Sequence, residues 1–225
     1  MAQALDLRSS PHGDDLLSRL LHELRSPLSL ILLAADIDDS ETCVAAAQRM
    51  EQLLRYAGAT RTQAPVEVAA ALAREEVEAA ACLLNLTSVF LGHLLVQEPD
   101  EGEVLLPRDP ELRSCLVAGW LEAACYGAPT EPMVVRVKTT GVSREMEALC
   151  GGQVRRRVSQ INHRLGPLAA GTVARGLGGR LVVSSARPSA VLVLPASRAA
   201  RPASGTAGAG CPSREGKGGV EACER

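Results

Sequence analysis

Gly13-Asp14-Asp15-Leu16-Leu17-Ser18-Arg19-Leu20-Leu21-His22-Glu23-Leu24-Arg25-Ser26-Pro27-Leu28 sets apolar residues at 16, 17, 20, 21, 24 and 28, and Ile31 continues the series. That spacing predicts a helix, with Asp14 and Asp15 where a helix N-terminus favours negative charge. The helix is expected to stop in Asp36-Ile37-Asp38-Asp39-Ser40, a cluster of turn formers in which Ser40 can cap the next helix. Val44, Ala47, Met50, Leu53 and Leu54 carry that second helix to about Gly58. Residues 13–59 therefore read as two antiparallel helices joined by a short loop, preceded by an arm over 1–12.

After a linker over 60–65 the pattern changes. Val66 to Val68 reads as a short extended piece, Ala69 to Leu84 as a helix, and Val89 to Gln97 and Glu103 to Leu106 as extended stretches. Asp109-Pro110-Glu111 starts a helix, with Pro in the first turn, and Leu112, Leu116, Trp120, Leu121 and Ala124 give it an apolar face as far as Gly127. Met133 to Lys138 alternates like a strand, while Ser143 to Leu165, rich in Arg and Glu, reads as helix and loop. Pro167 to Leu177 reads as a helix ended by Gly178-Gly179, followed by a hairpin of Arg180–Ser184 and Ala190–Leu194. Residues 66–195 thus form a mixed α/β unit. Residues 196–225 are Ala, Gly, Ser, Pro and charge without periodicity, and are expected to be a disordered tail.

Composition narrows the function classes. With 24 Lys+Arg against 26 Asp+Glu the formal charge is −2, which gives no global pull toward nucleic acid. Apolar residues are 46 % but aromatics only 2 %, so the cores must be built of Leu, Val and Ala. No apolar run approaches the roughly 20 residues of a spanning helix, so a cytoplasmic protein without membrane insertion is expected. The seven cysteines (Cys43, Cys82, Cys115, Cys125, Cys150, Cys211, Cys223) are odd in number, scattered and never in a CxxC pair. They fit neither a disulfide framework nor a zinc knuckle, and read as reduced packing groups.

His22 is the residue that the packing pattern does not explain. On a wheel of about 100° per residue it lies about 150° from the centre of the sector made by Leu17, Leu20, Leu21, Leu24, Leu28 and Ile31, so its imidazole points to solvent. Glu23 follows as an acid able to orient the ring and keep one nitrogen nucleophilic. Pro27 removes a helical hydrogen bond at the carbonyl of Glu23, which predicts a bend or loosening just past the histidine. A zinc-protease reading fails because position 26 is Ser and not a second His. Arg155-Arg156-Arg157 reads as a solvated helix face, His93 and His163 as ordinary structural or surface residues, and Trp120 as a core anchor.

His22-Glu23-Leu24-Arg25-Ser26-Pro27-Leu28 resembles the phosphoacceptor box of bacterial sensor histidine kinases, His-Glu-x-Arg-Ser/Thr-Pro-Leu, at every defined position. The resemblance implies that His22 accepts a phosphoryl group with Glu23 as acid/base partner, Arg25, Ser26 and Pro27 supporting the box. It also implies a hairpin that dimerises into a four-helix bundle. Residues 66–195 resemble the ATP-binding domain that follows the hairpin in that family. Asp109-Pro110-Glu111-Leu112 looks like its Asp-Pro-x-x-Leu helix start, Trp120-Leu121-Glu122-Ala123-Ala124 like Leu-Leu-x-Asn-Ala, and Gly178-Gly179-Arg180-Leu181 like its closing strand.

The nucleotide groups of that domain do not match. Ala123 stands where the asparagine for Mg²⁺ is expected, and Thr139-Thr140-Gly141 where an Asp-x-Gly-x-Gly would read adenine. Gly166-Pro167-Leu168-Ala169 is a poor copy of the Gly-Leu-Gly-Leu-Ala phosphate loop. The expected fold class is α+β: a helical hairpin and an α/β sandwich whose degenerate ATP site is marked by Ala123, Gly141 and Gly166.

The expected function is phosphotransfer on His22 to or from response-regulator aspartates. No cofactor is assigned to this chain itself, and Mg²⁺ would come from the receiver domain. Partners would be response-regulator receiver domains and a second copy of the chain. Two alternatives stay open, a divergent histidine autokinase using ATP and a silent adaptor binding a receiver or a partner histidine kinase.

Overall fold

The computed structural model describes residues 2–4, 13–62, 66–87, 103–125, 133–140, 143–150, 160–161, 163–184 and 189–196. Its first helical element, α1 (Gly13–Asp36), and its second, α2 (Ser40–Ala59), form the antiparallel hairpin that the apolar spacing predicts. The cap between them is one residue from the expected place. Asp39, not Ser40, is the N-cap: its carboxylate accepts from the Thr42 amide at 3.1 Å and from the Thr42 hydroxyl at 2.7 Å. Those hydrogen bonds hold the Asp39 carboxyl below its ordinary value. Asp38 makes the turn with a φ of 56°, a conformation that Asp tolerates better than most residues.

A five-stranded antiparallel sheet, in the order β1-β6-β7-β5-β4, makes the second layer. Its strands are β1 (Ala2–Ala4), β4 (Met133–Thr140), β5 (Ser143–Cys150), β6 (Arg180–Ser184) and β7 (Ser189–Pro195). β2 (Val68–Leu72) and β3 (Glu103–Pro107) form a separate two-stranded ribbon. The inner face of the large sheet is built from rows of paired side chains. Val137, Met146, Leu192 and Leu181 make one row, and Val135, Ala148, Ala190 and Val183 the next. All eight are buried.

Helices α4 (Pro110–Cys125) and α5 (Leu165–Gly176) lie on that face, with α2 and α3 (Ala73–Thr87) packed against them on the other side. α4 begins as expected, the Asp109 carboxylate accepting from the Glu111 amide at 2.9 Å. Being covered on nearly every side, it is buried from Cys115 to Leu121 and again from Ala123 to Cys125, not along a single stripe. Trp120 is fully buried, and its indole N–H donates to the Ala190 carbonyl at 3.0 Å. α5 ends where the Gly178-Gly179 pair predicts: Gly178 has a φ of +76°, its amide bonds Arg175 O, and the Gly179 amide bonds Ala174 O.

Three expectations are corrected. The helix placed over Ala69 to Leu84 starts only at Ala73, because Ala69, Ala70 and Ala71 pair with Leu106, Leu105 and Val104 in the β2–β3 ribbon. Alanine favours helix by only tenths of a kcal/mol over most residues, and strand pairing overrides that. Ser143 to Cys150, read as helix and loop, is strand β5 between β4 and β7. Its Met146 and Ala148 point inward while the charged residues between them stay partly exposed. Thr139 and Thr140 close the β4–β5 pairing through Thr140↔Ser143, so they are not the strand end that leaves the sheet toward α5. That end is Cys150, and Gly151-Gly152-Gln153 follows it, again without an acid.

Strand β1 was not expected in the N-terminal arm. The stretch Val89 to Gln97, the Arg155–Arg157 run, Gly141 and the tail after residue 196 lie outside the described residues.

α4 and α5 cross at Gly119 and Gly166. A Cβ at Gly119 would stand 2.1 Å from the Gly166 carbonyl oxygen, backbone against backbone. Gly119→Ala is expected to destabilise the chain by about 3 kcal/mol, the upper end of overpacking costs. Gly58→Ala, on a helix with nothing within 4 Å, is expected to stabilise it by up to about 1 kcal/mol. Urea denaturation of the two variants beside the wild type checks both signs.

Candidate functional site

His22 stands on α1 with its side chain exposed, as the wheel predicts, and Arg25 and Ser26 are exposed beside it. Pro27 is buried within α1, which runs through it without interruption. Glu23 is placed differently from the expectation that it orients the imidazole. One residue along a helix turns the side chain by about 100°, which carries Glu23 from the solvent face to the face packed on α5. Its side chain is 3 % exposed. Oε1 accepts from the Leu165 amide at 2.6 Å, while Oε2 lies 3.4 Å from Arg164 Nε and 3.9 Å from Arg49.

Leu165 is the first residue of α5, so Glu23 caps that helix from another part of the chain. Arg164, the residue in the N-cap position, supplies no side-chain cap of its own. Burial pushes the Glu23 carboxyl above 4.5. Arg164, the Leu165 amide and Arg49 pull the other way, and Glu122 adds to the rise.

A second charged contact lies alongside. Arg49 on α2 reaches Glu122 on α4 with both terminal nitrogens, and the Tyr56 hydroxyl donates to Glu122 Oε1 at 3.0 Å. Burial alone would lower the Arg49 value, but the Glu122 carboxylate outweighs it and the net shift is upward. Tyr56 is fully buried and, by that burial and by Glu122, is held well above its ordinary value, so it keeps its proton and donates. Removing one partner of a pair this enclosed costs about 3–5 kcal/mol. Glu122 also leans on the helix crossing, its Oε2 occupying the place where a Cβ on Gly166 would be.

Of the residues singled out by sequence, the structure brings together Glu23 and Gly166, on either side of this cluster. Ala123 is fully buried on α4 one residue past Glu122, with only a methyl group to offer. Arg49, Tyr56, Glu122 and Arg164 were missed. A signal was present: Glu122 interrupts the apolar run from Cys115 to Cys125, and Arg49 and Tyr56 are seven apart on α2, hence on one face.

Among the described residues no group of three or more His, Cys, Asp or Glu could hold a metal, and no helix is long and apolar enough to cross a membrane. Cys43, Cys82 and Cys115 are free thiols, and burial pushes Cys115 up to about 12.

The structure resembles solved ones. It is similar to the histidine kinase AdeS of Acinetobacter baumannii, with a TM-score of 0.54 and 12 % identity over 78 % of this chain and 97 % of that one. The fold is the histidine kinase fold. A bacterial phosphotransferase matches with a TM-score of 0.46 and 15 % identity over 80 % of this chain and 94 % of that one. The ATP binding domain of PrrB from Mycobacterium tuberculosis matches at 0.45 and 14 %, over 58 % and 98 %. No protein-family model and no curated protein matches the sequence.

The raised Glu23 carboxyl has a consequence for stability. Between 4.5 and its higher folded value the folded chain holds more protons than the unfolded one, so this group's contribution falls as pH rises across that window. Glu23→Gln is expected to flatten that part of the profile. Denaturation midpoints measured from pH 4 to pH 7 test it, and an unchanged slope would show that the carboxyl is not buried as described.

Proposed function

We propose that this chain is a phosphotransfer protein of two-component signalling built on the histidine kinase fold, with His22 as the phosphoryl carrier. The observation that carries the proposal is an exposed histidine in a complete phosphoacceptor box, beside an α4–α5 seam whose described residues are already engaged with one another. At that seam Gly119 touches the backbone at Gly166, Ala123 offers no metal ligand, and the first α5 amide is already taken by Glu23. The described residues of this seam do not fit Mg·ATP.

The chemistry asked of His22 is an in-line displacement. A free imidazole nitrogen attacks the phosphorus of a receiver's aspartyl phosphate, forming N–P as O–P breaks, and the receiver carboxylate leaves with the electron pair of that bond. The other ring nitrogen keeps its proton, giving a phosphoimidazolium that passes the group to a second receiver by the reverse step. Positioning supplies most of the catalysis, and the divalent cation would be held by the receiver's own carboxylates. A receiver incubated as its aspartyl phosphate is expected to put acid-labile label on His22, and ATP with Mg²⁺ is not. His22→Ala should abolish the label and change stability by no more than about 0.5 kcal/mol, as the ring fills no core space. Label from ATP would replace this reading with an autokinase.

The same reading includes a homodimer through the hairpin. Of Leu17, Leu20, Leu24, Leu28 and Ile31, expected at the dimer face, Leu20, Leu24 and Ile31 are partly buried within the chain. Leu17 and Leu28 are exposed, and with Leu21 and Leu32 they lie at spacings that share one face of α1. Val44 and Leu54 on α2 add to the exposed apolar surface. A stripe of that length favours burial against a second hairpin. Sedimentation at micromolar concentration should give a dimer and Leu21→Glu with Leu28→Glu a folded monomer; a wild-type monomer refutes the proposal.

A further inference from the structure

The acid that follows His22 is engaged elsewhere, and the manner of its engagement suggests a gate. Glu23 is one of only three buried polar or charged residues among the described ones. One oxygen makes a short bond to the Leu165 amide, but among the described residues Oε2 has no hydrogen-bond partner and only the looser ion pairs to Arg164 and Arg49. A buried carboxylate with a half-satisfied head is held by geometry against a desolvation cost.

The helix that carries it is weak at this point. Pro27, four residues on, has no N–H to give to the Glu23 carbonyl, so α1 can deform there without breaking a bond. α1 also packs on α5 far less than α2 does, since Leu53, Tyr56 and Ala59 of α2 sit in the shared core while α1 adds mainly Leu16. The part of the hairpin that bears Glu23 is therefore the part freest to move while α2 stays in place.

We infer that Glu23 is a built-in gate on His22: its carboxylate, clasped by the Leu165 amide and Arg164, is withheld from the neighbouring imidazole, and fast phosphoryl transfer requires its release from α5. The inference rests on the phosphotransfer reading and adds a regulatory contact to it. Glu23 acts through His22 and is in this sense a positioning residue. Release needs only a side-chain rotation and a small shift of α1 at Pro27, not separation of the hairpin from the sheet. A receiver docking on α1 around His22 is the partner whose binding would favour the released state, because it engages the helix on the face next to the clasp, about 100° around the axis.

Two measurements on the full chain test the gate. Amide hydrogen exchange at Leu165 reports the clasp directly: Glu23→Ala and Arg164→Gln should each speed it at least tenfold while exchange in α4 is unchanged. Label transfer from a phosphorylated receiver reports the gate. Arg164→Gln, which leaves Glu23 intact but loosens it, should speed transfer at least fivefold, and Glu23→Gln, which lacks the charge, should slow it at least fivefold.

Leu165 exchange unmoved by Glu23→Ala overturns the clasp. Faster exchange in Arg164→Gln with a wild-type transfer rate leaves Glu23 a structural cap only and overturns the gate. Absence of label in every variant, the wild type included, overturns the phosphotransfer reading and the gate with it, whatever the exchange data show.

Discussion

Two helices cross at Gly119 and Gly166 so closely that a Cβ on Gly119 would meet the Gly166 backbone, and most of the molecule's geometry depends on that contact. Because α4 and α5 meet backbone to backbone, the residues on either side of Gly119 are fixed in direction. Trp120 turns to the sheet and finds the Ala190 carbonyl, while Glu122 turns to the hairpin and finds Arg49 and Tyr56. The same crossing brings the first turn of α5 against α1, where Glu23 meets it. A wider spacing between the helices would separate all three contacts at once.

The charges at this seam are better understood as direction than as strength. Ion pairs taken out of water gain little net stability over a well-packed apolar replacement, but a guanidinium that reaches a carboxylate with two nitrogens admits few orientations. Arg49 and Glu122 therefore set the angle at which the hairpin lies on α4, and the apolar contacts of Leu53, Tyr56 and Ala59 hold it there. Burial of Tyr56 with its hydroxyl protonated adds a third fixed point.

What could be read from sequence was what local chemistry decides. The hairpin followed from helical spacing, the start of α4 from Asp109-Pro110, and the end of α5 from Gly178-Gly179, where a left-handed residue is required. What could not be read was decided by pairing across the fold. Ala69 to Ala71 favour helix alone and are strand because Val104 to Leu106 lie beside them. Ser143 to Cys150 carries charge enough to look like a surface helix, and is strand because its apolar residues meet Val135, Val137, Ala190 and Leu192. The exposure of His22 followed from the wheel, whereas the fate of Glu23 depended on a helix start 142 residues away.

Strand β1 gives the fold a topological property. The chain begins its described path paired to β6 at the margin of the large sheet, through Ala2↔Ser184 and Ala4↔Val182, then makes the hairpin, and afterwards returns to build the ribbon and the rest of the sheet. The hairpin is thus a closed loop, anchored at both of its ends. A pull along the chain ahead of α1 would be borne first by three residues of strand pairing, and only after these had unzipped would tension reach the helix. The margin of the sheet changes as well, for β1 covers β6 and leaves an edge strand of only three residues, and a short edge is a poor template for pairing with another molecule.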